Sequence, residues 1–279
     1  MTYKSIVVQL DTSTRAHSRL EYALRLAKQF DAHLTGVFSV FTPDQRALSV
    51  IAGSADHYAE HRKLRQERHG AVERIFHAEL LRAQVSGQWI DCRALANEAM
   101  PRYARCADLV VAPQDDPNVP ESFIADHFQE TLVMSAGRPV LFIPYAGIFP
   151  TLAEHVIVAW NGSREATRAV HDALPLLRLA AKTTIVTLNG TDGERRANHI
   201  PAADIALMLA RHGVTAGVAN MDGIDDVPMG DMLLSRVSDL GADLVVMGAY
   251  GHPRWQELVM GGATRSMLES MTVPVLMSH

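Results

Sequence analysis

The sequence predicts an α/β fold: two tandem domains, each a doubly wound parallel sheet with helices on both faces. Three observations lead there. Short apolar runs alternate with helical patterns along the whole chain, which calls for right-handed crossovers between parallel strands. The chain also repeats itself. Ala107-Asp-Leu-Val-Val-Ala-Pro113 matches Ala242-Asp-Leu-Val-Val-Met-Gly248, and Arg138-Pro-Val-Leu-Phe-Ile143 matches Val273-Pro-Val-Leu-Met277, both at an offset of 135 positions. Finally, a glycine-rich segment, Gly248 to Thr264, leaves an apolar run and ends at a helical pattern.

In the first half, strands are expected at Ser5–Leu10, His33–Val40, Trp89–Leu95, Leu109–Ala112 and Val140–Ile143. Helices are expected at Ser13–Phe30, Ser54–Gln84, Pro101–Arg105 and Ser122–Ser135. In the second half, strands fall at Val156–Trp160, Thr183–Leu188, Thr215–Asn220, Leu244–Met247 and Val273–Met277, with helices at Arg164–Ala180, Pro201–His212, Met229–Leu240 and Gly262–Met271. The strands are near-continuous Val, Ile and Leu runs, as burial on both faces requires. Ser5 to Asp11 mirrors the run that ends at Trp160 and Asn161 at an offset of 150. The excess over 135 fits a longer second helix in the first half. Pro144 to Pro150 reads as the linker, which sets domains at 1–147 and 152–279.

The candidate site follows from the third observation. Gly248, Gly251 and Gly261 stand at G-x2-G-x9-G spacing. Glycines let backbone approach a ligand and adopt positive φ, and the free N–H groups of a following helix start point at an anion. Gly262, Ala263 and Thr264 are the expected donors from that helix start. His252 and Arg254 lie within the loop, where an arginine suits bidentate anion contacts. In doubly wound sheets such a site lies outside the carboxyl ends of the strands, here those ending at Trp160, Leu188 and Met247. The alternative reading of the loop is a tight strand-to-helix connection with no ligand.

These residues resemble the universal stress protein family, in two tandem copies over almost the whole chain. The ATP-binding branch of that family carries a G-x2-G-x9-G-(S/T) loop and an Asp-Gly-Ser-like turn after its first strand. Gly248, Gly251 and Gly261 match the loop, and Asn161-Gly162-Ser163 resembles the turn. The resemblance implies an adenine nucleotide α-hydrolase-like fold and ATP, ADP or AMP as a bound signal, with Asn161 touching ribose or base. It departs in two places: Gly262 stands at the Ser/Thr position, and Asn161 replaces the acid. The first half departs further. At the offset of 135, Gly248, Gly251 and Gly261 pair with Pro113, Asp116 and Asp126. Acids beside a phosphate repel it, so no nucleotide is expected there and the first half has a structural or regulatory job.

Composition narrows the function classes. The net charge is −5, with 26 basic and 31 acidic residues and no long run of one sign. Nothing in it favours nucleic acid or an acidic membrane. Cys92 and Cys106 are the only cysteines, which makes no disulfide framework and fits a cytoplasmic protein. No signal peptide or membrane-length apolar stretch is read. Catalytic patterns are missing: there is no G-x4-G-K-[ST], no G-x-S-x-G and no lysine between Gly248 and Thr264. Glu257 is the only carboxylate in the loop. At most slow ATP hydrolysis is expected, since phosphoryl transfer relies on metal and cations.

The remaining groups are read as structural. Asp115, Asp116, Asp126 and His127 make a polar surface loop, and His57 and His61 lie on a solvated helix face. Cys106 is read as a buried small hydrophobe, and Trp255 as a cover of the site or a buried interface residue. The two halves are expected to form an internal pseudo-dimer, with Val273–Met277 near its pseudo-two-fold axis and a homodimer of chains as a further step. The competing function is a scaffold or carrier of another small ligand that ignores nucleotide.

Overall fold

The structure is a computed structural model and describes residues 2–39, 55–92, 96–116, 128–189, 202–222, 227–251 and 262–279. The chain divides into two compact units, Tyr3–Leu132 and Val133–His279.

The first unit holds β1 (Ser5–Leu10), α1 (Ala16–Phe30), β2 (His33–Ser39), α2 (Ala55–Ala83), β3 (Gly87–Cys92), α3 (Ala96–Ala104) and β4 (Leu109–Pro113). Its strand order is β3-β2-β1-β4, parallel throughout. The central strands are the apolar ones. β4 is buried along its whole length, whereas β3, at the end of the order, is only partly covered. The division between units falls within α4 (Phe128–Ala136).

The second unit holds β5 (Val140–Ile143), β6 (His155–Trp160), α5 (Arg164–Asp172), α6 (Leu174–Leu177), β7 (Lys182–Asn189), α7 (Ala202–Arg211), β8 (Ala216–Asp222), α8 (Met229–Leu240), β9 (Leu244–Gly248), α9 (Gly262–Ser270) and β10 (Val275–Ser278). Its strand order is β5-β10-β9-β6-β7-β8. All neighbours are parallel except β5, which runs antiparallel to β10, with Leu141 opposite Leu276. An apolar run such as Val140–Ile143 reads the same in either direction, so this reversal is invisible in sequence.

The repeated Ala-Asp before β4 and β9 has one physical role in both halves. The Asp108 carboxylate accepts from the amides of Lys4 and Ser5 at 2.7 and 3.0 Å. Asp243 accepts from those of Glu154 and His155, both at 2.9 Å. Each aspartate thus ties the start of its neighbouring central strand and satisfies two backbone donors.

Three expected helices differ. The segment Arg164–Ala180 breaks into α5 and α6 around Ala173, because Pro175 offers no N–H to the preceding turn. The short helix expected at Pro101 begins at Ala96, where buried Ala96, Ala99 and Met100 anchor it. The first helix starts at Ala16, because Ser13 is held in a turn on Asp11. Cys106 is exposed, which corrects its reading as a buried hydrophobe: it follows α3 in a turn, its amide donating to Tyr103 at 3.2 Å.

Candidate nucleotide site

The site is built where β6 and β9 end side by side. β6 closes on the buried ring of Trp160, and the chain then turns sharply through Asn161, Gly162 and Ser163. Gly162 sits at φ +73, a left-handed conformation that favours glycine. The Asn161 carboxamide oxygen accepts from the Ser163 amide at 3.1 Å, closing an Asx turn. Ser163 then caps α5, its hydroxyl accepting from the Ala166 amide at 3.1 Å. The Asn161 oxygen is therefore engaged in shaping the turn, and its NH2 adds two donors to the group.

Gly248 ends β9 against the first turn of α5. A Cβ there would lie 2.4 Å from the Ala166 nitrogen and 2.6 Å from the Glu165 carbonyl carbon. Gly248 is thus required for helix and strand to touch. Ala249 donates its amide to the Ser278 carbonyl and accepts at its own carbonyl from His279 Nδ1 at 3.0 Å, which fixes the loop exit on β10. Tyr250 follows at φ +54, an uncommon conformation for a residue with a side chain. Gly251 is exposed, and a Cβ on it would stand 2.7 Å from Glu165 Oε2 and 3.7 Å from the Ser163 Cβ.

The structure therefore brings Asn161, Gly248 and Gly251 together. It also brings in Glu165, which sequence reading missed. Glu165 is 5% exposed, and its Oε1 accepts from Arg164 Nε at 3.1 Å. The signal was an acid two residues after an N-cap serine, a position a helix start favours.

Gly262 opens α9, and Ala263 and Thr264 complete its start. Thr264 is buried, and the Ala263 carbonyl lies 2.9 Å from where a Cβ on Gly230 of α8 would stand. Ser266 donates to Asp231 of α8, so the first turns of the two helices are pinned together. His252, Arg254 and Gly261 lie outside the described residues, as do Trp255, Glu257, Asp126 and His127. His57 and His61 lie on α2, but their side chains are outside the described residues. Among the described residues no group of three or more His, Cys, Asp or Glu is placed to hold a metal ion. Among them, too, no helix is long and apolar enough to cross a membrane.

The corresponding turn of the first half is built differently. Asp11 accepts from the Ser13 amide at 2.8 Å, as Asn161 does from Ser163, but its other oxygen takes Arg19 Nη2 at 2.8 Å. Arg19 is 2% exposed and also donates from Nε to the Gln9 carbonyl at 2.7 Å and from Nη2 to Gln9 Oε1 at 3.1 Å. At the offset of 150, Gln9, Asp11 and Arg19 correspond to Ala159, Asn161 and Ala169. The first half thus pairs an acid with a buried arginine where the second half carries two neutral residues, so an aspartate at position 161 would face no such arginine.

Below the site, His155 bridges β6 to its neighbours. Its Nδ1 lies 3.0 Å from the Leu240 carbonyl and its Nε2 3.0 Å from the Thr184 hydroxyl. Burial, aided by the nearby Lys182 charge, pushes the imidazole below its usual range. In the neutral ring Nδ1–H donates to Leu240 and Nε2 accepts from Thr184.

Comparison with known proteins bears on the family and the fold. Residues 153–279 match the model of the universal stress protein family. A universal stress protein from Archaeoglobus fulgidus DSM 4304 superposes with a TM-score of 0.68 at 16% identity, covering 98% of this chain and 95% of that one. A functionally unknown protein from Pseudomonas aeruginosa PAO1 superposes with a TM-score of 0.57 at 15% identity, covering 99% and 92%. At these identities the likeness establishes the fold, and its reach over nearly the full chain fits a tandem arrangement. A universal stress protein in complex with cAMP matches 46% of this chain and 99% of its own at 21% identity, with a TM-score of 0.37, too low to carry site geometry across. No curated protein matches the sequence.

Proposed function

We propose, on the premise that residues 153–279 are a universal stress protein domain, that the chain is a cytoplasmic stress-response protein that binds an adenine nucleotide in this half as a regulatory signal. ATP, ADP and AMP are the candidate ligands. The observation that carries the reading is the convergence of the Asn161 turn with Gly248 and Gly251 at the carboxyl ends of β6 and β9, the location where open α/β sheets bind ligands. The left-handed Tyr250 between the two glycines supports it, because strained backbone concentrates at functional loops.

In this reading the Asn161 NH2 meets ribose or base. Gly248 and Gly251 admit the ligand to the loop, and Gly261 does the same farther along. Gly262, Ala263 and Thr264 donate from the start of α9, and His252 and Arg254 face the anionic end. The nucleotide is held and not consumed, because the loop carries no lysine and phosphoryl transfer needs metal and cations. The half at 1–147, with Asp11 committed to Arg19, has a structural or regulatory role beside the ligand-binding half at 152–279. The two make an internal pseudo-dimer, and a homodimer of chains extends the proposal. Neither nucleic acid nor membrane is a proposed partner.

The test is a thermal shift with adenosine, AMP, ADP and ATP on the wild type and on Gly261→Asp, which copies the first half. A ligand at about 100 times its dissociation constant stabilises by about 2.7 kcal/mol, a shift of several degrees for a domain of this size. A shift that Gly261→Asp removes supports the site, and one that persists in the folded variant rejects it.

A second reading has its own observation. Gly248 is needed by the α5 backbone and Gly251 faces Glu165, so both glycines have reasons that involve no ligand. In that case the chain is an interaction scaffold or carries another small ligand, and its self-association or partner binding is unchanged by nucleotide.

A further inference from the structure

A glycine in a phosphate loop is useful because the missing Cβ leaves room for an anion. At Gly251 that room already holds one. Glu165 Oε2 stands 2.7 Å from the Cβ position and its Cδ 3.3 Å. The carboxylate is held there from β6 by a built turn: Asn161 closes it, Ser163 caps α5, and Glu165 follows inside the first helical turn. A carboxylate at a helix start takes the place that the helix dipole would otherwise offer to a phosphate.

Its compensation is partial. The Arg164 guanidinium contacts Oε1 from Nε and Nη2 at 3.1 and 3.0 Å, but that side chain is 85% exposed, against 6% for Glu165. Water screens the exposed arginine more than it screens the buried carboxylate, so Arg164 offsets the Glu165 charge only in part. A phosphate brought to Gly251 meets that carboxylate at close range.

Resting on the nucleotide reading above, we infer that Glu165 is a specificity-determining residue that sets the charge class of the ligand: with its carboxylate in the Gly251 gap, the site takes adenosine or AMP ahead of ADP and ATP. A divalent cation travelling with ATP offsets part of the repulsion, so the preference is widest when such ions are removed.

The experiment is calorimetric titration of the full chain with adenosine, AMP and ATP in chelator. The wild type is expected to bind ATP at least about tenfold more weakly than AMP. Glu165→Gln keeps the side-chain shape and removes the charge. It should tighten ATP by about tenfold or more and leave adenosine within about twofold. Arg164→Gln, whose exposed side chain makes folding secure, strips the partial counter-ion and should weaken ATP several-fold further with adenosine unchanged. It decides the question if Glu165→Gln fails to fold. Tighter ATP than AMP in the wild type overturns the inference and leaves the nucleotide reading standing, as does an ATP-to-adenosine ratio that neither substitution moves. No binding of any adenine ligand overturns the nucleotide reading and this inference with it.

Discussion

Gly248→Ala separates packing from ligand binding at the loop. The added methyl would meet the Ala166 nitrogen at 2.4 Å and the Glu165 carbonyl carbon at 2.6 Å. Both are backbone atoms, so no rotamer change relieves the clash and the start of α5 must move off β9. Overpacking of this kind costs about 1–3 kcal/mol. The move also disturbs the Ser163 cap on Ala166, 3.1 Å long, and caps contribute about 1 kcal/mol. The expected loss is about 3 kcal/mol in ligand-free protein, or roughly 6–12 °C in melting temperature for a unit of this size. Urea unfolding followed by circular dichroism, with no nucleotide present, measures it. Gly217→Ala is the control: its nearest neighbour is the Thr183 carbonyl oxygen at 4.0 Å, and its stability should change by less than about 1 kcal/mol. A Gly248→Ala variant with the wild-type midpoint would refute the packing argument and return Gly248 to the ligand alone.

Three further predictions draw on other parts of the molecule. Arg19→Ala, which strands the Asp11 carboxylate beside a buried gap, should destabilise by about 3–5 kcal/mol. Asp11→Asn together with Arg19→Ala copies the second half and should cost clearly less than the sum of the single changes; strict additivity in urea unfolding would contradict the coupling. The His155 imidazole is pushed down by burial, so the folded state disfavours its protonation. Its stabilising contribution is complete above the unfolded pKa near about 6.5 and is lost as pH falls through it. The stability difference between wild type and His155→Gln should therefore fall between about pH 7.5 and pH 5, and a difference flat in pH would refute the assignment. Gly261→Asp should abolish nucleotide binding in a folded protein, read by thermal shift, and retained affinity would remove the loop from the site.

Most of the fold was legible in the sequence because its signals are local. Apolar runs marked the central strands to within a residue or two, and the repeated Ala-Asp marked the two aspartates that tie adjacent strands. What stayed hidden depends on contacts between distant segments or on direction. The antiparallel placement of β5 on β10 leaves no trace in Val140–Ile143, and the break at Ala173 needed Pro175 to be weighed against an otherwise helical run. At the site, glycine spacing pointed to Gly248 and Gly251, and the turn resemblance pointed to Asn161. That Gly248 serves the α5 backbone, and that Glu165 fills the gap at Gly251, could not be read from spacing, because the two partners lie more than eighty positions apart. The exchange of Asp11 and Arg19 for Asn161 and Ala169 was half visible. The aspartate-to-asparagine difference could be read, but the arginine that makes sense of it lies eight positions farther on and contacts it only in the fold.

Hydrogen exchange with and without saturating adenine nucleotide, run separately with AMP and with ATP, tests the central claim most directly. A nucleotide held at the ends of β6 and β9 should slow amide exchange at residues 161–166 and 248–251 and leave residues 11–19 unchanged. Protection confined to the first half, or no protection with either nucleotide, would contradict the proposal that the second half is the nucleotide-binding one.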